Sequence, residues 1–314
     1  MKDTAPNFAP ASAAHGAPAL PPAPLRCLTI DVEEYFHIEA AQGTVPRAQW
    51  DRWPTRVEGN IDRLLALLGS HQVPATFFFL GHVAQAHRGL ARRVADAGHE
   101  VASHGGMHDR LHRLTPVTFQ QDLHDSKALL EDQTGQGVVG YRAPTFSVVP
   151  ATTWAIDVLL AEGLRYDSSI FPVLHPHYGV PNAPDRPFLV QGRIGGSRLL
   201  EIPPLTWSVG RRKLAVAGGG YFRLLPLWLM RRGLAQAAAQ GRPAVLYFHP
   251  WEFDPEMPRM PLPLLGRVRT YTGLRTAAAR LTGILAAPAR WARLRDMVDV
   301  FTTYAAELPV FCLQ

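Results

Sequence analysis

Cysteine is almost absent from this chain: Cys27 and Cys312, near opposite ends of 314 residues, are the only two. Such a pair makes neither a disulfide framework nor a thiolate metal motif, and it fits a reduced, intracellular protein. No apolar run is long enough to cross a bilayer, so an integral membrane segment is not expected. Residues 1–24 are rich in Ala and Pro, with one early lysine and no sustained apolar stretch. They make a poor secretory signal and read as a disordered tail, with a cytoplasmic location for the rest. Charge is sparse as well. Only 18% of residues are charged against 47% apolar, the balance of a globular chain and not of a disordered one. The net charge of +6 comes from scattered arginines without a dense basic run, so a nucleic-acid partner has little support. Internal repeats and a second complete domain are also missing.

What is present is an alternation of short apolar runs with helical periodicity. Apolar runs at 25–31, 73–80, 100–103, 138–141, 164–167, 199–202 and 244–248 read as strands. Between them, 56–70, 82–97, 115–135, 150–162 and 225–240 read as helices, several closed by glycine. Repeated about seven times, this pattern predicts a parallel sheet with crossover helices. Residues 171–197 read as a long loop or small insertion near the mouth. At 255–287 the proline-rich start reads as extended chain and the remainder as helix.

The polar residues of interest follow the ends of the apolar runs: Asp31, His104, Arg142, Asp167 and His249. In a barrel of parallel strands those ends share one rim, where active sites are built. His104 and His108 are four apart, a spacing that in a helical turn puts both imidazoles on one side of a cation. Gly105 and Gly106 between them leave room for a ligand near the backbone. Asp31 and Glu33 are two apart and face one way on an extended segment. One carboxylate with two histidines makes a hydrolytic metal site, and a second carboxylate can take a proton from water. His249 suits a general acid, and Arg142 can keep a base carboxylate ionised. Each has a bland alternative: a helix cap for Asp31, a solvated pair for Glu33 and Glu34, a structural ion pair for Arg142, a buried backbone-bonded ring for His249.

Five motifs in order, Thr29-Ile-Asp-Val-Glu33, His104-Gly-Gly-Met-His108, Arg142-Ala-Pro-Thr145, Tyr166-Asp167 and Leu246-Tyr-Phe-His249, resemble those of the polysaccharide deacetylase superfamily (NodB homology, carbohydrate esterase family 4). Gly218-Gly-Gly-Tyr-Phe-Arg223, His249-Pro-Trp-Glu252 and residues 269–281 are similar to its branch found in exopolysaccharide loci of exosortase-bearing bacteria. The resemblance runs from about residue 25 to the C-terminus and implies one catalytic domain, 25–314, with a C-terminal extension from about 255. It implies a deformed (β/α)7 barrel, a divalent metal (zinc, with cobalt as substitute), and removal of acetyl from N-acetylhexosamine units of a polysaccharide or oligosaccharide. By the same resemblance Asp31 is the base, His249 the acid, and Glu33, His104 and His108 hold the metal. Arg142 supports the base, Asp167 the acid, and the Thr145 backbone N–H binds the oxyanion. The chain departs from the pattern in three places: Asp31-Val32-Glu33 replaces adjacent aspartates, Thr145 replaces a tyrosine, and the tryptophan after Asp167 is missing, with Ile170 or Phe171 to fill its groove. Competing readings are a metal-independent hydrolase of cyclic amides or ureides, a glycan-binding barrel without turnover, and a phosphoesterase. The sequence leaves the oligomeric state open.

Overall fold

The computed structural model describes residues 25–175, 178–194 and 196–313; the tail expected at 1–24 lies outside them. Seven parallel strands build the centre: β1 (Leu25–Val32), β2 (Ala75–Phe79), β3 (Glu100–Ser103), β4 (Gly140–Tyr141), β5 (Tyr166–Asp167), β7 (Arg198–Glu201) and β10 (Ala244–Phe248). They run in the order β10-β1-β2-β3-β4-β5-β7. Beyond β7 the chain returns to β10 through two isolated parallel bridges: Pro204 to Val245, with the Leu205 N–H on the Val245 carbonyl at 2.9 Å, and Gly218 to Tyr247. The ring thus closes at its weakest point by isolated bridges, and β4 and β5 have only two residues each. This is a deformed (β/α)7 barrel. Strands buried on both faces need not alternate, which is why LRCLTIDV and ATFFF read as nearly continuous apolar runs.

The helices are α1 (Val57–Ser70), α2 (Gly81–Ala86), α3 (Leu90–Asp96), α4 (Pro116–Thr134), α5 (Trp154–Ala161), α6 (Gly219–Leu224), α7 (Leu227–Ala239), α8 (Leu264–Tyr271), α9 (Leu274–Leu285) and α10 (Leu294–Thr303). In α1, Val57, Ile61, Leu64 and Leu68 form the buried stripe. Thr115 caps α4 by accepting from the Thr118 N–H, Pro116 opens it, and Gly135 ends it in the left-handed region.

Three expectations needed correction. The single helix expected at 82–97 is two, α2 and α3, because Gly89 takes φ +90° and restarts the chain. The stretch expected to be a long loop or small insertion at 171–197 contains β6 (Phe188–Gln191), antiparallel to β7 and extended by β12 (Val310–Cys312). A hairpin of β8 (Thr206–Val209) and β9 (Arg212–Ala215) and a two-residue strand β11 (Arg290–Trp291) beside β1 were not anticipated. The extension at 255–285 begins extended and continues as α8 and α9. Met257, Met260, Leu262 and Leu274 from it pack with Tyr35, Phe36 and Trp251. It therefore lies against the loops that leave β1 and β10.

Candidate active site

Strand register brings the expected residues together. Asp31 is paired with Phe78, Phe79 with Ser103, Ser103 with Tyr141, Tyr141 with Asp167, and Ile30 with Phe248. The residues just beyond these pairs, Glu33, His104, Arg142 and His249, consequently emerge on one rim, the C-terminal end of the barrel.

His104 and His108 are not on a helix. The turn between them uses left-handed backbone at Gly105 (φ +77°) and at His108 itself (φ +59°), which brings the ring centroids to 5.5 Å. A non-glycine residue held there costs of order 1–3 kcal/mol and is kept only when its surroundings demand it. Gly106 is also hemmed in by the protein itself. The Asp122 carboxylate accepts the Gly106 N–H at 2.8 Å, and a Cβ at Gly106 would collide with it.

Glu33, His104 and His108 are all buried, and their ligand atoms lie within 4.8 Å of one another. Among the described residues this is the one group of three or more His, Cys, Asp or Glu so placed. His104 Nδ1 sits 2.7 Å from the Arg142 carbonyl. That oxygen can only accept, so Nδ1 carries the proton and Nε2 keeps a free lone pair. His108 Nε2 lies 2.9 Å from Glu33 Oε2, yet that oxygen and His108 Nδ1 have no hydrogen-bond partner in the protein. Burial pushes the His104 imidazole down to about 4, keeping it neutral as a ligand must be. Burial pushes the Glu33 carboxyl up, but the charges of His108 and His249 outweigh it and hold Glu33 well below the usual range. Two neutral-capable imidazoles and one carboxylate with an orphaned oxygen fit a divalent cation such as zinc.

Arg142 has no exposed surface. Its Nη1 donates to Asp31 Oδ1 and to Thr29 Oγ1, both at 2.7 Å, while Nε and Nη2 bind the carbonyl and hydroxyl of Ser168. The guanidinium also lies over the Phe78 ring, 4.3 Å from its centroid. His249 Nε2 is 3.9 Å from Asp31 Oδ2 and 3.6 Å from Glu33 Oε1. Its ring stacks on Trp251, whose Nε1 donates to Glu33 Oε1 at 3.2 Å.

The support expected from Asp167 comes from elsewhere. His249 Nδ1 meets Glu252 Oε1 at 2.8 Å, and Glu252 is paired with the Arg223 Nε at 2.7 Å, with Glu252 and Arg223 buried and His249 partly exposed. Arg223 spends its other N–H groups on the carbonyls of Arg269, Thr270 and Thr272. Burial acts to lower the His249 pKa, but Glu33, Glu252 and Asp31 together raise it to about 9. Asp167 instead accepts from Ser169 Oγ at 2.5 Å and faces its strand partner Glu201. Burial raises both of those carboxyls, and the Asp167 charge raises Glu201 further. Glu252 and Arg223 stand in the quoted sequence motifs, but nothing in the sequence ties one to the other across 29 residues.

Thr145 stands at φ +57° and Phe146 at φ +51°, a strained pair at the mouth for a β-branched and an aromatic residue. Phe171 is fully buried with Phe146, Tyr178 and Tyr247, so an aromatic cluster occupies the side where a tryptophan was missing.

Fold and site together define an α/β barrel with a His-His-carboxylate cluster and a paired carboxylate and imidazole at its rim. Residues 48–161 match the family model described as polysaccharide deacetylase, and residues 168–299 match a domain of unknown function, DUF3473. A peptidoglycan deacetylase of Helicobacter pylori is 34% identical over 113 residues, 36% of this chain and 38% of that protein. A chitooligosaccharide deacetylase of Rhizobium leguminosarum bv. trifolii is 38% identical over 106 residues, 33% and 46% of the two chains. The chain thus spans less than half the length of these curated relatives. Among solved structures, a Mycobacterium smegmatis protein assigned as a polysaccharide deacetylase superposes with a TM-score of 0.63 at 23% identity, over 92% of this chain and 93% of that one. PuuE allantoinase gives 0.59 at 15% identity, over 92% and 95%. At these identities the likeness concerns the fold. The match to the polysaccharide deacetylase model thus covers residues 48–161, and over the whole chain the likeness is one of fold.

Proposed function

We propose that the protein hydrolyses the N-acetyl group of N-acetylhexosamine units in a polysaccharide or oligosaccharide, with a divalent cation held by Glu33, His104 and His108. The observation that carries this reading is the meeting of an Arg142-held carboxylate and a Glu252-held imidazole beside that cluster, 3.9 Å from one another. A bound cation supplies Lewis acidity toward the acetyl carbonyl and lowers the pKa of water. Asp31 accepts a proton from the attacking water, and the Arg142 guanidinium orients that carboxylate. His249, which its carboxylate neighbours keep protonated, gives its proton to the departing nitrogen. The water oxygen bonds to the acetyl carbon, the C–N bond breaks, and acetate and a free amine result. The Thr145 backbone N–H is the remaining donor assigned to the oxyanion. Asp167, paired with Glu201, is kept as a positioning residue beneath the rim.

For the glycan, the exopolysaccharide-locus motifs favour an exopolysaccharide or its lipid-linked precursor. Few cysteines favour cytoplasmic action; no helix of the described residues is long and apolar enough to cross a membrane. The test is acetate release from N-acetylated oligosaccharides, with metal content measured on the same preparation. Release should stop after chelation and return with Zn²⁺ or Co²⁺. A metal-free preparation with full activity would remove this reading in favour of a metal-independent amide or ureide hydrolase.

A further inference from the structure

Beside the site, the loop leaving β1 and the start of α2 enclose a cavity of about 220 Å³ lined by Glu34, Phe36, His37, Trp50, Trp53 and His82, among others. Glu33 and Glu34 are consecutive: the first meets His108, the second lines this cavity. Three of its lining residues carry a buried polar atom with no partner in the protein: Glu34 Oε2, His37 Nε2 and Trp50 Nε1. The residues themselves are 3%, 1% and 6% exposed, so solvent does not satisfy these atoms freely.

Their chemistry is specific. His37 Nδ1 accepts the Glu34 N–H at 3.1 Å, so in the neutral ring Nε2 bears the proton and is a donor. Indole Nε1 is a donor only. Glu34 Oε1 is occupied, accepting the N–H groups of Arg56 and Val57 at 2.7 and 3.0 Å, and Oε2 remains as an acceptor. Two donors and one acceptor call for a group that both accepts and donates, which is a hydroxyl. An anion would meet Glu34 and Asp51, and a cation would meet the two N–H groups. The rest of the lining is aromatic. The rings of His37, Trp50 and His82 pack at 4.3–5.3 Å centroid distances, with Phe36 behind Trp50 and Trp53 at the edge. A small cavity with apolar ring faces and a few convergent polar atoms suits one pyranose ring, smaller than the roughly 300–1,000 Å³ of drug-sized sites.

We infer that this cavity is a subsite for a neutral sugar residue of the glycan, whose hydroxyls accept from His37 Nε2 and Trp50 Nε1 and donate to Glu34 Oε2. The inference rests on the glycan reading above. The experiment uses the metal-loaded full chain on an array of neutral and N-acetylated oligosaccharides that includes N-acetylchitotriose, followed by titration of the best binder. Trp50→Phe and His37→Asn each remove one unpartnered donor; Asn retains an acceptor for the Glu34 N–H. Each should weaken binding about three- to tenfold, the worth of one hydrogen bond between neutral groups. Should either variant melt early, Thr55→Tyr fills the cavity from an exposed position and should abolish binding of the same probe. No binding to any glycan by the wild type, or equal binding by wild type and folded variants, overturns the subsite. Acetate release by the wild type is measured in parallel. Release with cavity-independent binding removes the subsite alone, whereas cavity-dependent binding without release removes the deacetylase reading and leaves the subsite.

Discussion

Replacing Asp31 by Asn tests both the chemistry and the electrostatics of the rim. The Arg142 guanidinium has no exposed surface, and Asp31 is its one carboxylate partner among the described residues. Neutralising Asp31 leaves a buried cation without a counter-charge, a change that costs about 3–5 kcal/mol in such pairs. Asn retains an oxygen for Nη1, so the low end, about 3 kcal/mol, is expected. At about 2–4 °C per kcal/mol for a domain of this size, the melting temperature should fall by about 6–12 °C. Acetate release should fall by about 10²–10⁴-fold, the usual worth of a general base. The two losses separate in the double variant Asp31→Asn/Arg142→Met. With neither charge present, the double variant should regain about 2 kcal/mol of the summed destabilisation, read as coupling in a double-mutant cycle. Turnover should not return. Calorimetry and an acetate assay on all four proteins decide the matter. An Asp31→Asn protein that melts with the wild type sinks the buried-pair argument, and near wild-type turnover in either Asn variant sinks the assignment of the base.

Two further variants probe the neighbouring groups. Glu252→Gln removes the charge that His249 and Arg223 share. A charge-assisted bond worth about 1.5–3 kcal/mol in the transition state corresponds to about a ten- to hundredfold loss of turnover, and unchanged turnover would show that His249 acts without its partner. Glu201→Gln addresses pH. Folded-state pKa values of Asp167 and Glu201 are raised by burial, so their stabilisation is full below the unfolded carboxyl values and is lost as pH rises through the folded ones. The amide cannot ionise, so the melting temperature of Glu201→Gln should decline less between pH 5 and 9 (about the range of ordinary buffers) than that of the wild type. An identical slope would mean that the pair does not titrate as argued.

Much of the rim could be read locally. A strand that ends in Asp31, a His-x3-His pair after the next-but-one strand, and histidine after the last need only chain order and the rule that parallel strands deliver their C-terminal ends to one side. Other features could not be read that way. The partner of His249 is three residues away but is chosen by Arg223, which comes from another helix and is fixed by carbonyls of the extension. Asp167 turns to Glu201 because β5 and β7 are register partners, a pairing that no local period encodes. Within the turn between His104 and His108, the Gly106 N–H is held by Asp122 on α4, sixteen residues on.

By itself the sequence determined which chemical groups the molecule owns and where each leaves its strand, since apolar periodicity, caps and turn glycines act over a few residues. Tertiary structure alone decided which of those groups touch. Hydrogen bonds and ion pairs between distant segments form only when the barrel closes, and closing selected Glu252 for His249, Glu201 for Asp167, and an aromatic cavity for Glu34.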